Sequence, residues 1–316
     1  DFRLNLMTAS DTKVEIEFEI AHQREAQPRS AVLIACRKFL RHYDVLTPIP
    51  TPELDARLIF LQATKITDLE FAANPQATIS PEQIDLIETL LRRRAKGEPV
   101  SRLFGEREFY SLPFKITDAT LDPRPDSETL IDVALEQMNA LPADDGVSRR
   151  VLDLGTGSGC LLISLLSQMP GWSGEGVDIN PAAVAVARDN AKHLGLENRT
   201  VFYQSTWFDK VSGSFDMIIS NPPYIPTRNI EALSPDVRLY DPLVALDGGS
   251  DGMDAYRDII AQAEKYLSAQ GQIIFEIGFD QANSVKKILG EHNFTTIAVE
   301  KDLQGNDRII VSRIAE

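Results

Sequence analysis

Cysteine is nearly absent: 316 residues carry only Cys36 and Cys160. Two thiols so far apart make neither a disulfide framework nor a zinc-ligand set, which are built from closely spaced pairs. Histidine is scarce too, and His22, His42, His193 and His292 have no ligand spacing, so no metal site is expected. No run of about 20 apolar residues is present, and no secretory leader pattern opens the chain. A reducing cytoplasm is the setting these absences suggest. Positive charge is in deficit, with 32 Lys and Arg against 47 Asp and Glu and a net charge of −15. Such a balance disfavours non-specific binding to a nucleic acid backbone and any stable nucleic-acid or membrane partner.

What remains is ordinary for a folded protein: 43% hydrophobic and 25% charged residues, enough for a real core. The length suits one large domain or two of usual size. Residues 1–27 read as a peripheral or unordered segment, although Val14, Ile16, Phe18 and Ile20 alternate with glutamates at a strand period. Over residues 28–98 the period becomes helical, with Val32, Leu33, Cys36, Phe39 and Leu40 on one stripe. Thr51-Pro52 and the capping box Ser80-Pro81-Glu82-Gln83 open two further helices. The second of these ends in Arg92-Arg93-Arg94-Ala95-Lys96-Gly97. Cations there complement the helix dipole, Gly97 suits a left-handed cap, and contact with an acidic or RNA-bearing partner is the alternative. Residues 99–122 read as a β-hairpin connector broken at Leu112-Pro113. In Pro123-Arg124-Pro125-Asp126-Ser127-Glu128, Asp126 or Ser127 is placed to cap the next helix. The polar stretch Pro142–Gly146 closes that helix.

From residue 123 to 316 strands and helices alternate, which predicts an α/β doubly wound sheet. Val151-Leu152-Asp153-Leu154 is a short strand running into Gly155-Thr156-Gly157-Ser158-Gly159. Glycines there let the backbone turn sharply and a ligand come close. The following strand, Gly174–Val177, ends in Asp178, where an acid can bond ribose hydroxyls. A dinucleotide site wants a third small residue where Cys160 stands, and no phosphate-binding Lys follows. The pattern instead suits S-adenosyl-L-methionine, which has ribose and adenine but no phosphate. Trp207, after the strand Thr200–Tyr203, is placed to pack on the adenine; on spacing alone it serves equally well as a core aromatic. A helix over 181–194, another over 254–267, a strand over 272–277 and a closing pair near 295–299 and 308–312 complete the sheet.

Phe215-Asp216-Met217-Ile218-Ile219-Ser220 delivers Asn221-Pro222-Pro223-Tyr224 to the same edge. Consecutive prolines have φ held near −65° and donate no hydrogen bond. The turn is therefore rigid, and its carbonyls with the Asn221 oxygen can accept both hydrogens of a planar NH2 group. An ordinary Asn-capped strand end is the bland alternative. Gly155–Gly159, Asp178, Trp207 and Asn221 all fall at the carboxyl ends of strands, where open α/β sheets bind ligands.

These motifs together resemble the release-factor glutamine methyltransferases, the PrmC/HemK family, from about Ser30 to Arg313. Further shared stretches are Gly105-Glu106-Arg107-Glu108-Phe109-Tyr110, Leu246-Asp247-Gly248-Gly249-Ser250-Asp251-Gly252, Phe275-Glu276-Ile277-Gly278 and Lys301-Asp302-Leu303. Asp122 departs from the aliphatic residue many relatives carry there. The resemblance implies a Rossmann-like class I adenosylmethionine-dependent methyltransferase sheet with an N-terminal helical domain that docks the protein substrate. It implies methylation of the glutamine side-chain nitrogen in the Gly-Gly-Gln motif of class 1 peptide-chain release factors. Gly155, Thr156, Gly157, Ser158, Gly159, Asp178, Trp207 and Asn221 would then hold adenosylmethionine. Asn221, Pro222, Pro223 and Tyr224 would hold the glutamine, with Asn221, Pro222 and Tyr224 serving the reaction. A ribosomal-protein glutamine methyltransferase and an adenine-N6 DNA or RNA methyltransferase are the rivals, since Asn-Pro-Pro-Tyr is shared with the latter.

Overall fold

The computed structural model describes residues 25–44, 49–140 and 148–315. The alternating stretch at 14–20 and the polar loop Pro142–Gly146 lie outside the described residues. Contacts divide the chain into two compact units, 1–103 and 104–316. In the first, β1 (Gln27–Pro28) pairs with β2 (Thr78–Ile79) beside four helices: α1 (Arg29–Asp44), α2 (Pro52–Thr64), α3 (Asp68–Ala73) and α4 (Pro81–Ala95). A short α5 (Val100–Phe104) runs across the division. The apolar stripes of α1, α2 and α4 face one another, burying Val32, Phe39, Ile59, Phe60, Ile87 and Leu91.

Local signals explain most of these ends. Ser80 and Gln83 satisfy each other's backbone N–H groups, a reciprocal cap that starts α4. Thr51 precedes Pro52 at the start of α2, but its hydroxyl donates to Asp55 rather than capping the backbone. Thr67 and Glu70 form a second capping box on α3, a helix with no buried residue that the apolar pattern does not announce. The three arginines of the basic run at the end of α4 pair inside this unit. Arg92 pairs with Glu88 at 2.6 Å, Arg93 with Glu98 at 2.5 Å, and buried Arg94 with buried Asp55 at 2.7 Å. Gly97 follows with φ 96°, the left-handed backbone that ends the helix.

The second unit opens with the hairpin β3 (Glu106–Phe109) and β4 (Leu112–Lys115). Its turn is Tyr110-Ser111, both at positive φ, so Leu112-Pro113 lies inside β4 rather than at the break. A seven-stranded sheet follows: β5 (Arg149–Leu154), β6 (Trp172–Asp178), β7 (Thr200–Gln204), β8 (Phe215–Ser220), β9 (Leu267–Glu276), β10 (Phe294–Lys301) and β11 (Asp307–Ile314). Its order is β10-β11-β9-β8-β5-β6-β7, with β11 antiparallel to its neighbours. The helices are α6 (Glu128–Ala140), α7 (Cys160–Gln168), α8 (Pro181–His193), α9 (Pro235–Arg238), α10 (Asp254–Ala263) and α11 (Ala282–Glu291). Leucines and isoleucines of α6 and α7 and small residues of α8 cover one face of the sheet; α10 and α11 cover the other. Val151, Leu152 and Leu154 of β5 are therefore all fully buried, as a parallel strand between two helical layers must be.

Two further expectations shift. The helix from Asp254 ends at Ala263, passes through a 3-10 turn at Glu264–Tyr266, and the chain is already strand at Leu267. At the other end of the sheet domain, Pro125–Ser127 is a 3-10 turn ahead of α6, and the Ser127 side chain has a different partner, at the carboxyl edge of the sheet.

Candidate active site

Strand order reverses at β5. From β5 the chain steps outward through β6 to β7, then returns to place β8 on the other side. At such a reversal the loops leaving adjacent strands splay apart and open a crevice beyond the carboxyl ends. Leu154 is paired with Ser220, and the Ser220 hydroxyl donates to the Leu154 carbonyl at 2.7 Å. The loop starting at Gly155 and the turn starting at Asn221 thus leave the sheet side by side.

The glycine loop folds back at once, since the N–H groups of Gly155 and Thr156 both donate to the Val177 carbonyl at 2.9 Å. Gly155 has φ 74°, and a Cβ there would stand 3.7 Å from the Trp207 ring. Gly157, at φ 55°, has no atom within 4 Å of where its Cβ would be, so a ligand can approach at backbone distance. Asp178 closes β6; its carboxylate accepts from Gly157 N–H at 2.9 Å and Asn180 N–H at 2.8 Å. Burial pushes its pKa up, against the lowering effect of those two bonds. Each oxygen uses one backbone donor, leaving acceptor capacity for hydroxyls. Trp207 is held at φ 42°, a left-handed conformation rare for a bulky side chain, and its ring packs over Gly155.

A cavity of about 300 Å³ lies along this edge. Gly155, Thr156, Gly157, Ser158, Asp178 and Trp207 line one part, and Asn221 and Pro223 another. Gly159, Pro222 and Tyr224 do not line it. Gly159 instead starts α7, where a Cβ would come within 3.1 Å of Ile163 and Ala187, so it sets the approach of α7 to α8. Pro222 is buried. Tyr224 is packed against the core cluster around Phe275 and Tyr256, and burial pushes its phenol pKa up to about 12. With a close glycine backbone, an acceptor carboxylate and a flat indole, the wall has the donors and shape that ribose and adenine require.

The turn is braced from outside the motif. The Asn221 amide donates to buried Ser127 Oγ at 3.3 Å. Gln281 donates to the Tyr224 carbonyl at 2.8 Å, while its own carbonyl accepts from Gly278 N–H at 2.9 Å. Ile225 bonds both ways with Leu246 and Gly248, and Thr227 N–H reaches the Gly249 carbonyl. A Cβ on Gly248 would fall 2.7 Å from the Pro223 oxygen, and one on Gly252 would fall 2.4 Å from the Tyr224 oxygen. The 246–252 stretch, visible in the sequence only as a shared motif, and the Gly278–Gln281 turn after β9 thus hold the Asn221 turn in place. Ser127 reads in the sequence as a helix cap, because the partner that reveals its place at the site lies 94 residues away. Asp122 is buried with its carboxylate facing Arg107 and Arg124, so a charge sits there between two cations rather than in an aliphatic core. Among the described residues no cluster of His, Cys, Asp and Glu suits a metal ion.

Comparison with known proteins identifies the family. Residues 127–234 match the family described as Methyltransferase small domain, and residues 31–105 match the PrmC N-terminal domain. The release factor glutamine methyltransferase of Agrobacterium fabrum is 42% identical over 90% of this chain and 96% of its own length. That of Rhodospirillum rubrum is 41% identical over 84% of this chain and 80% of its own. Among solved structures, the hMettl16 catalytic domain superimposes with a TM-score of 0.54 at 16% identity, covering 72% of this chain and 81% of that one, a likeness of fold. With a relative this similar over nearly its whole length, and with both of its units matched, the chain belongs to the release factor glutamine methyltransferases.

Proposed function

We propose that this enzyme transfers a methyl group from S-adenosyl-L-methionine to the side-chain amide nitrogen of the glutamine in the Gly-Gly-Gln motif of class 1 peptide-chain release factors. The observation that carries the reading is one cavity bounded by the glycine loop, Asp178 and Trp207 on one side and by the Asn221 turn on the other. The relatives' names supply the substrate class. Gly155 to Ser158 would receive the cofactor at backbone distance, Asp178 its ribose hydroxyls and Trp207 its adenine. When bound, adenosylmethionine supplies a methyl group on a cationic sulfur, ready for direct displacement.

The nucleophile is the harder half of the reaction, because an amide nitrogen delocalises its lone pair into the carbonyl. The Asn221 side-chain oxygen, on the cavity wall, would accept one of its hydrogens. Held so, the nitrogen pyramidalises and its lone pair is aimed, a positioning effect of the kind that dominates such reactions. The methylated nitrogen is acidic and loses its proton to water, so no perturbed base is required. Tyr224 would support the turn from behind the cavity wall. The helical unit, which matches the PrmC N-terminal domain, is assigned to docking the release factor.

The test is transfer of labelled methyl to a purified class 1 release factor, to a variant lacking the motif glutamine, and to duplex DNA in parallel. Label that vanishes with the glutamine supports the reading; label on DNA alone overturns the substrate. Asn221→Ala should lower kcat about a hundredfold or more and leave adenosylmethionine Kd nearly unchanged. Equal losses in both would strip Asn221 of its part in holding the glutamine amide.

A further inference from the structure

An asparagine amide has two faces of opposite character, and methyl transfer to a glutamine nitrogen needs the oxygen toward the substrate. Asn221 lies one residue beyond Ser220, which is paired with Phe275 on β9; Glu276 is the residue after Phe275. Glu276 is 2% exposed and does not line the cavity, whereas Asn221 and Ser127 do. Its carboxyl faces the Ser127 hydroxyl and the Asn221 side chain, with Arg308 and Asp126 further out. Tyr224, Tyr256 and the Cys160 thiol complete its charged and titratable surroundings. On the β11 side it is paired with Ile309, and Tyr256 donates to its backbone carbonyl at 2.8 Å.

We propose that Glu276 is a positioning residue: its carboxylate holds the NH2 end of Asn221 inward and thereby turns the Asn221 oxygen to the substrate. The inference rests on Asn221 accepting a hydrogen from the glutamine amide, as in the proposed function. Burial pushes the Glu276 pKa up to about 7, against the Ser127 bond, the Arg308 charge and the Asn221 bond; above that pH the carboxyl is ionised, accepts and cannot donate. Against it the amide can place only its NH2, one hydrogen toward Glu276 and the other on Ser127 Oγ at 3.3 Å. The Ser127 hydroxyl keeps its own hydrogen for Glu276. Reversing the amide would set two oxygens face to face in a dry pocket, a costly buried arrangement. The shared motif Phe275-Glu276-Ile277-Gly278 thereby acquires a chemical reason.

The neutral variant Glu276→Gln separates orientation from packing. Its amide can donate to the Asn221 oxygen as readily as accept from the nitrogen, so both orientations of Asn221 become available. At about pH 8, where Glu276 is ionised, release-factor methylation by this variant should fall about ten- to a hundredfold in kcat, with KM, adenosylmethionine Kd and melting temperature close to wild type. Unchanged kcat would overturn the proposal, and so would parallel losses in kcat, cofactor affinity and stability. Ser127→Ala supplies a second reading, with the same kcat-only loss; if neither variant shows it, Glu276 does not orient Asn221. A substrate-free readout keeps the two readings distinct: exchange of the Asn221 side-chain amide hydrogens by NMR, slow in wild type and fast in Glu276→Gln. Were wild-type enzyme inactive on the release factor while this contrast persisted, the substrate reading would fail and the orienting role would stand. Fast exchange in wild type would overturn the orienting role whatever the substrate.

Discussion

Asp153 sits fully buried beneath the glycine loop, with the Thr156 hydroxyl donating to it at 2.6 Å. Burial first, and the nearby Asp178 charge to a lesser degree, push its pKa up to about 7, against the Thr156 bond. The sign for stability follows from proton linkage. At low pH the carboxyl is protonated in folded and unfolded chains alike, and its burial carries no ionic penalty. As pH rises, the unfolded chain ionises first, so folding loses stability until the folded carboxyl also ionises near pH 7. Urea midpoints measured from about pH 4 to about pH 7 should therefore decline more steeply for wild type than for Asp153→Asn. Parallel curves would mean that Asp153 is not buried as a resisting acid. The residue stands in the sequence in plain view, one position before Leu154, yet an acid inside a strand carries no sign of how dry its surroundings are.

At the scale of elements, the Asn221 turn is rigid because a second segment is fitted against it. Gly248→Ala puts a methyl group 2.7 Å from the Pro223 oxygen and 2.9 Å from the Tyr224 Cα, both backbone atoms that cannot yield alone. The turn must shift, and turnover should fall at least about tenfold at nearly unchanged cofactor affinity. Full activity in Gly248→Ala would show the bracing to be dispensable. Much of this architecture is legible in the sequence. The strands β5, β6, β7 and β8, the helices α7 and α8 and the Ser80 cap follow from periodicity and local chemistry, which act over a few residues. What stays hidden depends on pairs distant in sequence or on weak local signals. Ser127 and Asn221 meet only through the sheet; the hairpin turn at Tyr110-Ser111 uses two non-glycine residues at positive φ; and α3 buries nothing. In α11, Val285, Ile288 and Leu289 form a regular buried stripe, a helical signal that is present in the sequence but short. Gly155 to Ser158, Asp178, Trp207, Asn221 and Pro223 meet at the cavity, whereas Gly159, Pro222 and Tyr224 shape its walls from behind.

The chain folds as two compact units. No helix among the described residues is long and apolar enough to cross a membrane. In the helical unit the Arg94–Asp55 pair is buried on both sides at 2.7 Å. Asp55→Ala leaves the Arg94 charge without its partner and should destabilise this unit by about 3–5 kcal/mol. Adenosylmethionine Kd should be unaffected and the KM for the release factor should rise, measured by calorimetry and steady-state kinetics. A matching loss of cofactor affinity would mean that docking and cofactor binding are not divided this way. In the sheet unit, β10 touches the rest of the sheet only through β11, and its ladder is interrupted at Thr296/Ala298 and again at Glu300/Lys301. An irregular border of this kind is a poor template for another chain's strand. It also lets the border loosen alone: amide hydrogens of β10 should exchange with solvent well before those of β9 and β11. The cavity edge at β8 and β5, three and four strands inward, would then keep its shape while the outermost strand breathes, and equal protection across all three strands would show instead that they open as one.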